Sequence, residues 1–348
     1  MGNQMSRRFL AIPKEDLGAL VEDLARSYTL LTPITEGGVT RFAAGGGGLP
    51  GDIPALTKRP LKEMFFPKGE VLFAFDPSGK VEAAASEDGP SGITRVAFGV
   101  RPCDARSLTL LDLVFDAEDY KDPYYVSRRQ NTAIVTLACH KPGIACFCTS
   151  LGGGPFDETG SDVMFIDAGE TYLVKVLTGK GERVLNGLRG LREAGDADLE
   201  AAQEAEARSR ELANGNVPVE AGVRGLAGAF ADPAWEDVYR KCLGCAVCTY
   251  LCPTCHCFDI GDEAVDVRGE RVRNWDSCMF PLFTLHASGH NPRPSRKERF
   301  RQRIMHKFNY FVENNGCVAC VGCGRCVENC PVNLDVRKVL EVFASSCK

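Results

Sequence analysis

The chain has 348 residues, 44% of them hydrophobic and 25% charged, and its formal net charge is -5. Single hydrophobic cores stop growing at about 250 to 300 residues, so this length predicts two domains. The nearly balanced charge excludes a generic nucleic-acid-binding protein. No apolar run is long enough to predict a membrane span.

The first two hundred residues predict an α/β domain. A helical pattern covers 12–28, and short apolar stretches rich in β-branched residues predict strands at 71–75, 96–100, 133–137 and 173–177. A further helical pattern at 107–115 lies between two of these strands. This order predicts a βαβ unit and a mixed, partly parallel sheet.

Residues 193–213 are rich in Ala and Glu and predict an exposed helix. Turn-forming residues follow, so we place the α/β domain at 1–232 and a second domain at 233–348. Two Gly-rich stretches, 45–48 and 152–154, lack the spacing of a nucleotide-binding fingerprint and predict turns. We therefore expect neither flavin nor NAD in this chain.

The cysteine content is the most unusual feature, because the chain has 17 cysteines. Arg7 and Arg8 resemble the paired arginines of an export signal, but charged residues follow where an apolar stretch is required. We therefore expect a cytoplasmic protein, in which disulfides are rare. An odd number of cysteines in tight local clusters favours metal ligation.

Two segments, 242–253 and 320–331, follow the spacing C-x2-C-x2-C-x3-C-P without deviation. In this arrangement the first three thiolates of a run surround one [4Fe-4S] cluster, and the fourth ligates the cluster of the other run. The spacing therefore predicts two clusters, the first with the ligands Cys242, Cys245, Cys248 and Cys330 and the second with the ligands Cys320, Cys323, Cys326 and Cys252. Two zinc sites are the alternative, but four-cysteine zinc sites typically use separate C-x2-C pairs.

A long insertion, 253–319, separates the two motifs, and helical patterns occur at 295–310 and 333–344. These features favour a mainly helical two-cluster ferredoxin domain over the small β-rich type. Between 293 and 307 there are seven Lys or Arg and one acidic residue, Glu298. A solvated helix face is the favoured interpretation, and the alternative is a segment that offsets cluster charge or docks an acidic partner.

Four further cysteines occur in the α/β domain. Cys103 and Cys139 each follow a predicted strand, so parallel neighbouring strands would bring both thiols to one edge of the sheet. With Cys146 and Cys148 they form a candidate third iron-sulfur site. The alternative is that Cys103 and Cys139 are inert core residues.

Cys255, Cys257 and Cys278 form another candidate site inside the insertion. A fourth ligand could come from Cys317, Cys347, His256 or the N-terminal domain, or the three thiols could pack beside the first cluster. Only His140 and His256 adjoin cysteines, and we expect them to orient ligands instead of binding metal.

A family resemblance rests on several segments that occur in order: Arg101-Pro102-Cys103-Asp104, Tyr124-Tyr125 with Arg128-Arg129, Cys139 with Cys146-Phe147-Cys148, the run from Cys252 to Cys257, Trp275-Asp276-Ser277-Cys278, Arg299-Phe300-Arg301 and the closing ferredoxin motif. From about Arg95 onward the chain resembles the β subunits of cytoplasmic sulfhydrogenases and the A subunits of anaerobic sulfite reductases. It is also similar to the ferredoxin-like subunits of flavin oxidoreductases that supply heterodisulfide reductase.

The resemblance implies an electron-transfer subunit of a hetero-oligomer in anaerobic metabolism. Such subunits relay electrons between a flavin- and NAD(P)-binding subunit and a terminal redox subunit, and they bind neither flavin nor nicotinamide. The main alternative is a redox enzyme with its own catalytic cysteine or metal site in the N-terminal domain. A thiol nucleophile needs an activating base, and His140 beside Cys139 is the candidate.

Overall fold

A computed structural model describes residues 8–45, 56–83, 92–213, 215–265 and 267–345. Arg7, Cys347 and all but the first residue of the Gly-rich stretch 45–48 lie outside these ranges. The strands are β1 (Arg8–Pro13), β2 (Thr29–Glu36), β3 (Val39–Ala44), β4 (Gly69–Phe75), β5 (Val81–Ala83), β6 (Arg95–Val100), β7 (Thr132–Leu137), β8 (Val163–Asp167), β9 (Thr171–Val176), β10 (Arg192–Glu193), β11 (Phe258–Val265) and β12 (Arg268–Trp275).

The α-helices are α1 (Leu17–Ser27), α2 (Pro102–Phe115), α3 (Pro123–Gln130), α4 (Gly179–Leu185), α5 (Asp196–Leu212), α6 (Val219–Leu226), α7 (Trp235–Val238), α8 (Val247–Tyr250), α9 (Arg296–Met305), α10 (Phe311–Asn315), α11 (Arg325–Glu328) and α12 (Val336–Ser345). A π-helical turn, His306–Tyr310, joins α9 to α10. Short 3-10 turns lie at Lys14–Asp16, Leu61–Met64, Cys148–Leu151 and Ala229–Ala231. None of the helices in the described ranges is both long enough and apolar enough to cross a membrane.

The chain divides into two compact units. The first comprises Met1–Phe65, Asp88–Asn216 and Val321–Cys323, and the second comprises Phe66–Glu87, Val217–Cys320 and Gly324–Lys348. These bounds differ from the division at 232 that the sequence predicts. The main reason is β4, because this strand pairs with β12 of the insertion and not with the sheet of the α/β region.

The first unit is built on an eight-stranded sheet with the order β10-β1-β9-β8-β7-β6-β2-β3. The central strands β2, β6, β7 and β8 are parallel neighbours. The outer strands β1, β3, β9 and β10 pair antiparallel. The sheet is therefore mixed and partly parallel, which confirms the predicted fold class.

Side chains alternate between the two faces of this sheet, as the period of a β-strand requires. Phe165 of β8 packs in a cluster with α1 and α4, where Leu24 and Leu185 are buried. Its neighbours Met164 and Ile166 pack on the other face against Ala202 and Ala205 of α5. Helices thus cover both faces of the sheet, which explains why its central strands are apolar throughout.

The predicted helix at 12–28 begins later than expected. Residues Arg8–Pro13 enter the sheet as β1 and pair with β9 and β10. A 3-10 turn follows, and α1 begins at Leu17. The apolar residues of β1 suit a strand as well as a helix, so periodicity alone did not separate the two.

The second unit combines helices with a four-stranded sheet of order β11-β12-β4-β5. The hairpin β11–β12 lies inside the insertion, for which no strands were predicted. Helices α6 and α12 pack so closely that a Cβ atom at Gly222 would lie 2.9 Å from the Leu340 carbonyl oxygen. The Trp235 ring packs 4.5 Å from the Phe343 ring and completes this helical core.

Candidate iron-sulfur sites

The loops of the two C-x2-C-x2-C-x3-C-P motifs share a backbone conformation. Gly244 and Gly322 have φ angles of 73° and 66°, and Ala246 and Gly324 have φ angles of 63° and 77°. A helical turn follows in each case, α8 after Ala246 and α11 after Gly324. Positive φ angles turn the chain sharply, so that closely spaced cysteines can surround one centre.

The four predicted ligands of the first cluster line one cavity in the second unit. Cys242, Cys245, Cys248 and Cys330 all border this space, and Cys326 of the second motif borders it too. The Gly244 N–H donates to Cys242 Sγ at 3.4 Å, and the Leu334 N–H donates to Cys330 Sγ at 3.2 Å. Such N–H donors stabilise thiolate charge.

Burial is the largest influence on the pKa values of two of these thiols, Cys248 and Cys242. It raises the pKa of Cys248 to about 11, although the nearby Arg303 guanidinium opposes the shift. Burial likewise raises the pKa of Cys242, against the hydrogen bond from Gly244. A metal ligand must lose its proton, so cluster assembly at this site has to displace protons from buried thiols.

The predicted ligands of the second cluster lie in different surroundings. Cys252 is buried, and its Sγ atom accepts a hydrogen bond from Lys307 Nζ at 3.2 Å. Burial raises the pKa of Cys326, again against Arg303. Cys320 belongs to the second unit and Cys323 to the segment Val321–Cys323 of the first unit.

The basic run 293–307 is a solvated face only in part, and the favoured interpretation was wrong for three of its members. Arg299, Arg303 and Lys307 are all buried. They are spaced by four residues and therefore share one side of the helix. Arg299 donates to the carbonyls of Met279 and Pro294, at 3.0 and 2.7 Å.

Arg303 lies among the cysteines of several predicted sites. It lines the cavity of the first cluster. Burial alone would lower its pKa, but the negative charges of Cys248, Cys326, Cys255 and Cys252 hold this pKa well above its ordinary value. Within the residues that the structure describes, its Nε atom is buried without a hydrogen-bond partner.

This orphaned donor is a test of whether an iron-sulfur cluster fits the site. A buried, unpaired guanidinium N–H is costly unless an acceptor satisfies it. The inorganic sulfides and thiolates of an anionic cluster are acceptors of this kind. The donor set, the four thiols and the cavity therefore fit a [4Fe-4S] cluster.

The Lys307 ammonium group has three N–H donors, and each donates a hydrogen bond to a different acceptor. The acceptors are Cys252 Sγ at 3.2 Å, Thr254 Oγ1 at 2.9 Å and the Ala319 carbonyl at 2.7 Å. Burial opposes the charge, but Cys252, Cys255 and Cys320 outweigh it and hold the pKa of Lys307 above its ordinary value. The lysine therefore stays protonated in the interior.

The three cysteines of the insertion are brought together. A hydrogen bond that the Cys278 S–H donates to Cys257, together with burial, raises the pKa of Cys278, and Cys255 adds to this shift. The segment that carries Cys278 is fixed by bonds from Thr249 to Ser277, at 2.8 Å, and from the Tyr250 hydroxyl to the Trp275 carbonyl, at 3.1 Å.

His256 has partners of its own beside this group. Its Nδ1 atom bonds to the Thr254 carbonyl at 3.1 Å, so Nδ1 must carry the proton. Its ring packs edge-on against His306, with the ring centroids 5.5 Å apart.

In the first unit, Cys103 and Cys139 follow the adjacent parallel strands β6 and β7. Burial lowers the pKa of the nearby Arg101 guanidinium. The charges of Cys139 and Cys103 oppose that shift. Arg101 donates to the Ala138 carbonyl at 2.9 Å. Cys148 also interacts with Cys139. Cys146 donates its S–H to the Cys323 carbonyl at 3.7 Å.

His140 is engaged by the main chain. Its Nε2 atom accepts the Asp167 N–H at 3.2 Å, and its ring packs 5.3 Å from Phe156. Burial lowers the pKa of His140 and raises that of Cys139. A buried thiol of raised pKa is a weak nucleophile, which weighs against a catalytic Cys139–His140 pair.

Zinc and a cubane place different demands on the positions of their ligands. Among the described residues, no group of three or more His, Cys, Asp or Glu side chains is arranged to hold a metal ion. A zinc ion requires its ligand atoms at about 2.0 to 2.3 Å. A cubane presents four separate irons to its ligands, so the thiols around it need not converge on one point.

Comparisons with known proteins agree with the cysteine motifs. The family model of the 4Fe-4S dicluster domain matches residues 241–334. The sulfhydrogenase 2 subunit beta of Pyrococcus furiosus is 38% identical over 248 residues, which cover 71% of this chain and 73% of that protein. No solved structure matches the chain significantly.

Proposed function

The chain belongs to the family of the sulfhydrogenase β subunits, and from this premise we propose that it relays single electrons between two partner subunits. It is an iron-sulfur electron-transfer subunit with a 4Fe-4S dicluster domain. One partner binds flavin and NAD(P). The other is a terminal redox subunit of the hydrogenase, sulfite reductase or heterodisulfide reductase type. The complex is a cytoplasmic hetero-oligomer.

One observation carries this proposal. Cys330 lies far along the chain from Cys242, Cys245 and Cys248, yet all four line one cavity. Crossed ligation between the two motifs requires this arrangement. The buried Arg303 at the same cavity offers an unsatisfied donor to an anionic group.

The proposed ligands follow from the motifs. One [4Fe-4S] cluster is held by Cys242, Cys245, Cys248 and Cys330, and the other by Cys320, Cys323, Cys326 and Cys252. A [4Fe-4S] cluster accepts and returns one electron at a time, whereas a nicotinamide transfers a hydride. A flavin must therefore act between them, and we propose that a partner subunit supplies it.

The remaining cysteines are proposed as one or two additional iron-sulfur sites. Mutual interactions among Cys255, Cys257 and Cys278 support a site in the insertion. Interactions of Cys103 and Cys139 with Arg101, and of Cys148 with Cys139, support a site in the first unit. Cys146 completes the latter set in this proposal.

The relay is tested by NADH and NADPH oxidation with an artificial electron acceptor. The anaerobically purified, cluster-replete chain should contain no flavin and show no turnover alone. Turnover should begin when the flavoprotein partner is added, because hydride then enters through the flavin. Appreciable turnover by the chain alone would contradict the relay and favour an enzyme with its own substrate site.

A further inference from the structure

Two positive charges are buried beside the proposed cluster ligands, and the fold has to stabilise both. Arg303 lies in α9, and Lys307 lies one helical turn later in the π-helical turn. Both side chains are at most 4% exposed. A buried cation is retained only where nearby negative charge or hydrogen bonds compensate its lost hydration.

The two cations differ in what surrounds them. Lys307 donates to Cys252 Sγ at 3.2 Å, and its other two donors are taken by Thr254 and Ala319. It therefore touches a proposed ligand of the second cluster. Arg303 borders the cavity of the first cluster and also interacts with Cys326 and Cys252, which are assigned to the second.

We infer that Lys307 and Arg303 are positioning residues that raise the reduction potentials of the two proposed clusters. Lys307 acts mainly on the cluster ligated by Cys252, and Arg303 acts on both. Reduction adds one electron and hence one negative charge to the site. A fixed positive charge in a poorly hydrated interior favours that added charge, and cluster potentials follow local charge and hydrogen bonding.

This inference rests on the proposed function, because it requires that the two motifs hold clusters. It goes further by assigning the difference between the two potentials to two named side chains. Because Lys307 and Arg303 are placed unevenly about the two clusters, the two reduction potentials differ. The added electron then resides mainly on the cluster with the higher potential. In the proposed complex the cluster exchanges that electron with the flavin of a partner subunit or with the terminal redox subunit.

The test is a redox titration of the full, cluster-replete chain, followed by EPR, with dithionite as the electron donor. In Lys307→Met one of the two potentials should fall by about 59 mV, which corresponds to a tenfold change in a one-electron equilibrium. The other potential should move much less. In Arg303→Met both potentials should fall, because this guanidinium interacts with ligands of both clusters.

The control is Arg301→Met on the same helix. Arg301 has the same charge as Arg303, but it donates to the Phe230 carbonyl at 3.0 Å and covers the Phe230 ring at 3.7 Å. Its loss should leave both potentials unchanged. Lys307→Arg keeps the charge and should retain most of the wild-type potential, which a merely structural role does not predict.

Iron and sulfide analysis of each variant separates the outcomes. Unchanged potentials in Lys307→Met with full iron content would overturn the inference while leaving the proposed function intact. Loss of one cluster from both Lys307→Met and Lys307→Gln, but not from Lys307→Arg, would assign the lysine to cluster retention instead and overturn its role in the potential. A wild-type chain without [4Fe-4S] clusters would refute the proposed function itself.

Discussion

At the scale of single residues, Gly322 shows how tightly the second motif is built into its surroundings. A Cβ atom at this position would lie 2.5 Å from the Cys148 nitrogen and 2.6 Å from the Phe147 carbonyl carbon. The Gly322 carbonyl also accepts the Phe147 N–H at 2.8 Å. The backbone therefore leaves no room for a side chain at position 322.

We predict that Gly322→Ala destabilises the chain by about 3 kcal/mol or more, from the backbone clash together with the positive φ angle. The measurement is the denaturant midpoint. Gly316→Ala is the matched control, because Gly316 has a φ of 70° and no atom within 4 Å of the added Cβ. Equal losses in the two variants would show that φ strain alone matters.

Cys330 provides a second test at the scale of residues. Crossed ligation assigns this cysteine of the second motif to the cluster of the first motif. Cys330→Ala should disturb the cluster built on Cys242, Cys245 and Cys248, with which it shares a cavity. EPR and iron analysis measure this. Loss of only the cluster built on Cys320, Cys323 and Cys326 would show that the ligand assignment is wrong.

At the scale of elements, the contact between β4 and the insertion hairpin contains a buried ion pair. Arg273 of β12 and Glu70 of β4 lie 2.6 Å apart, and their side chains are 4% and 6% exposed. The Arg273 guanidinium also lies over the Phe66 ring, 5.2 Å from its centroid. Removing one partner of such a pair leaves an uncompensated buried charge.

We predict that Glu70→Gln destabilises the chain by about 3 to 5 kcal/mol. The control is Asp262→Asn, which breaks the Arg271–Asp262 pair on the same hairpin, at 2.7 Å, where both side chains are roughly half exposed. Solvent screens that pair, so its loss should have much less effect. Thermal or denaturant unfolding of both variants measures the difference, and equal losses would contradict the role of burial.

The elements also show which structural features the sequence revealed. The strands at β6 and β7 were predictable because each is a short β-branched run, and their parallel pairing followed from the helix between them. The pairing of β4 with β12 was not predictable from the sequence, because it joins distant segments of the chain. Both strands of the β11–β12 hairpin are also rich in charged residues. Long-range pairing of this kind leaves no local pattern.

The same applies to the candidate sites. Motif spacing predicts that Cys330 groups with Cys242, Cys245 and Cys248, whereas it gives no individual role to Arg303 or Lys307. A signal was present, because the apolar residues Phe300, Ile304 and Phe308 recur every four residues and mark the buried side of the helix. Arg303 and Lys307 directly precede two of them and are buried with them.

At the scale of the whole molecule, each compact unit contains its own group of cysteines with a buried arginine beside it. The buried arginine beside the cysteines is Arg101 in the first unit and Arg303 in the second. The 4Fe-4S dicluster match covers 241–334, so Cys103, Cys139, Cys146 and Cys148 of the first unit lie outside it. The two clusters proposed for the C-x2-C-x2-C-x3-C-P motifs are therefore the smallest cofactor content that we propose for the chain.

The most direct test of this account is iron and acid-labile sulfide analysis of the anaerobically purified chain, combined with EPR of the dithionite-reduced protein. We predict at least about eight irons and eight sulfides per chain, since two cubanes each contain four of both. We also predict two [4Fe-4S] signals. Zinc in place of iron, or a single cubane, would contradict this account.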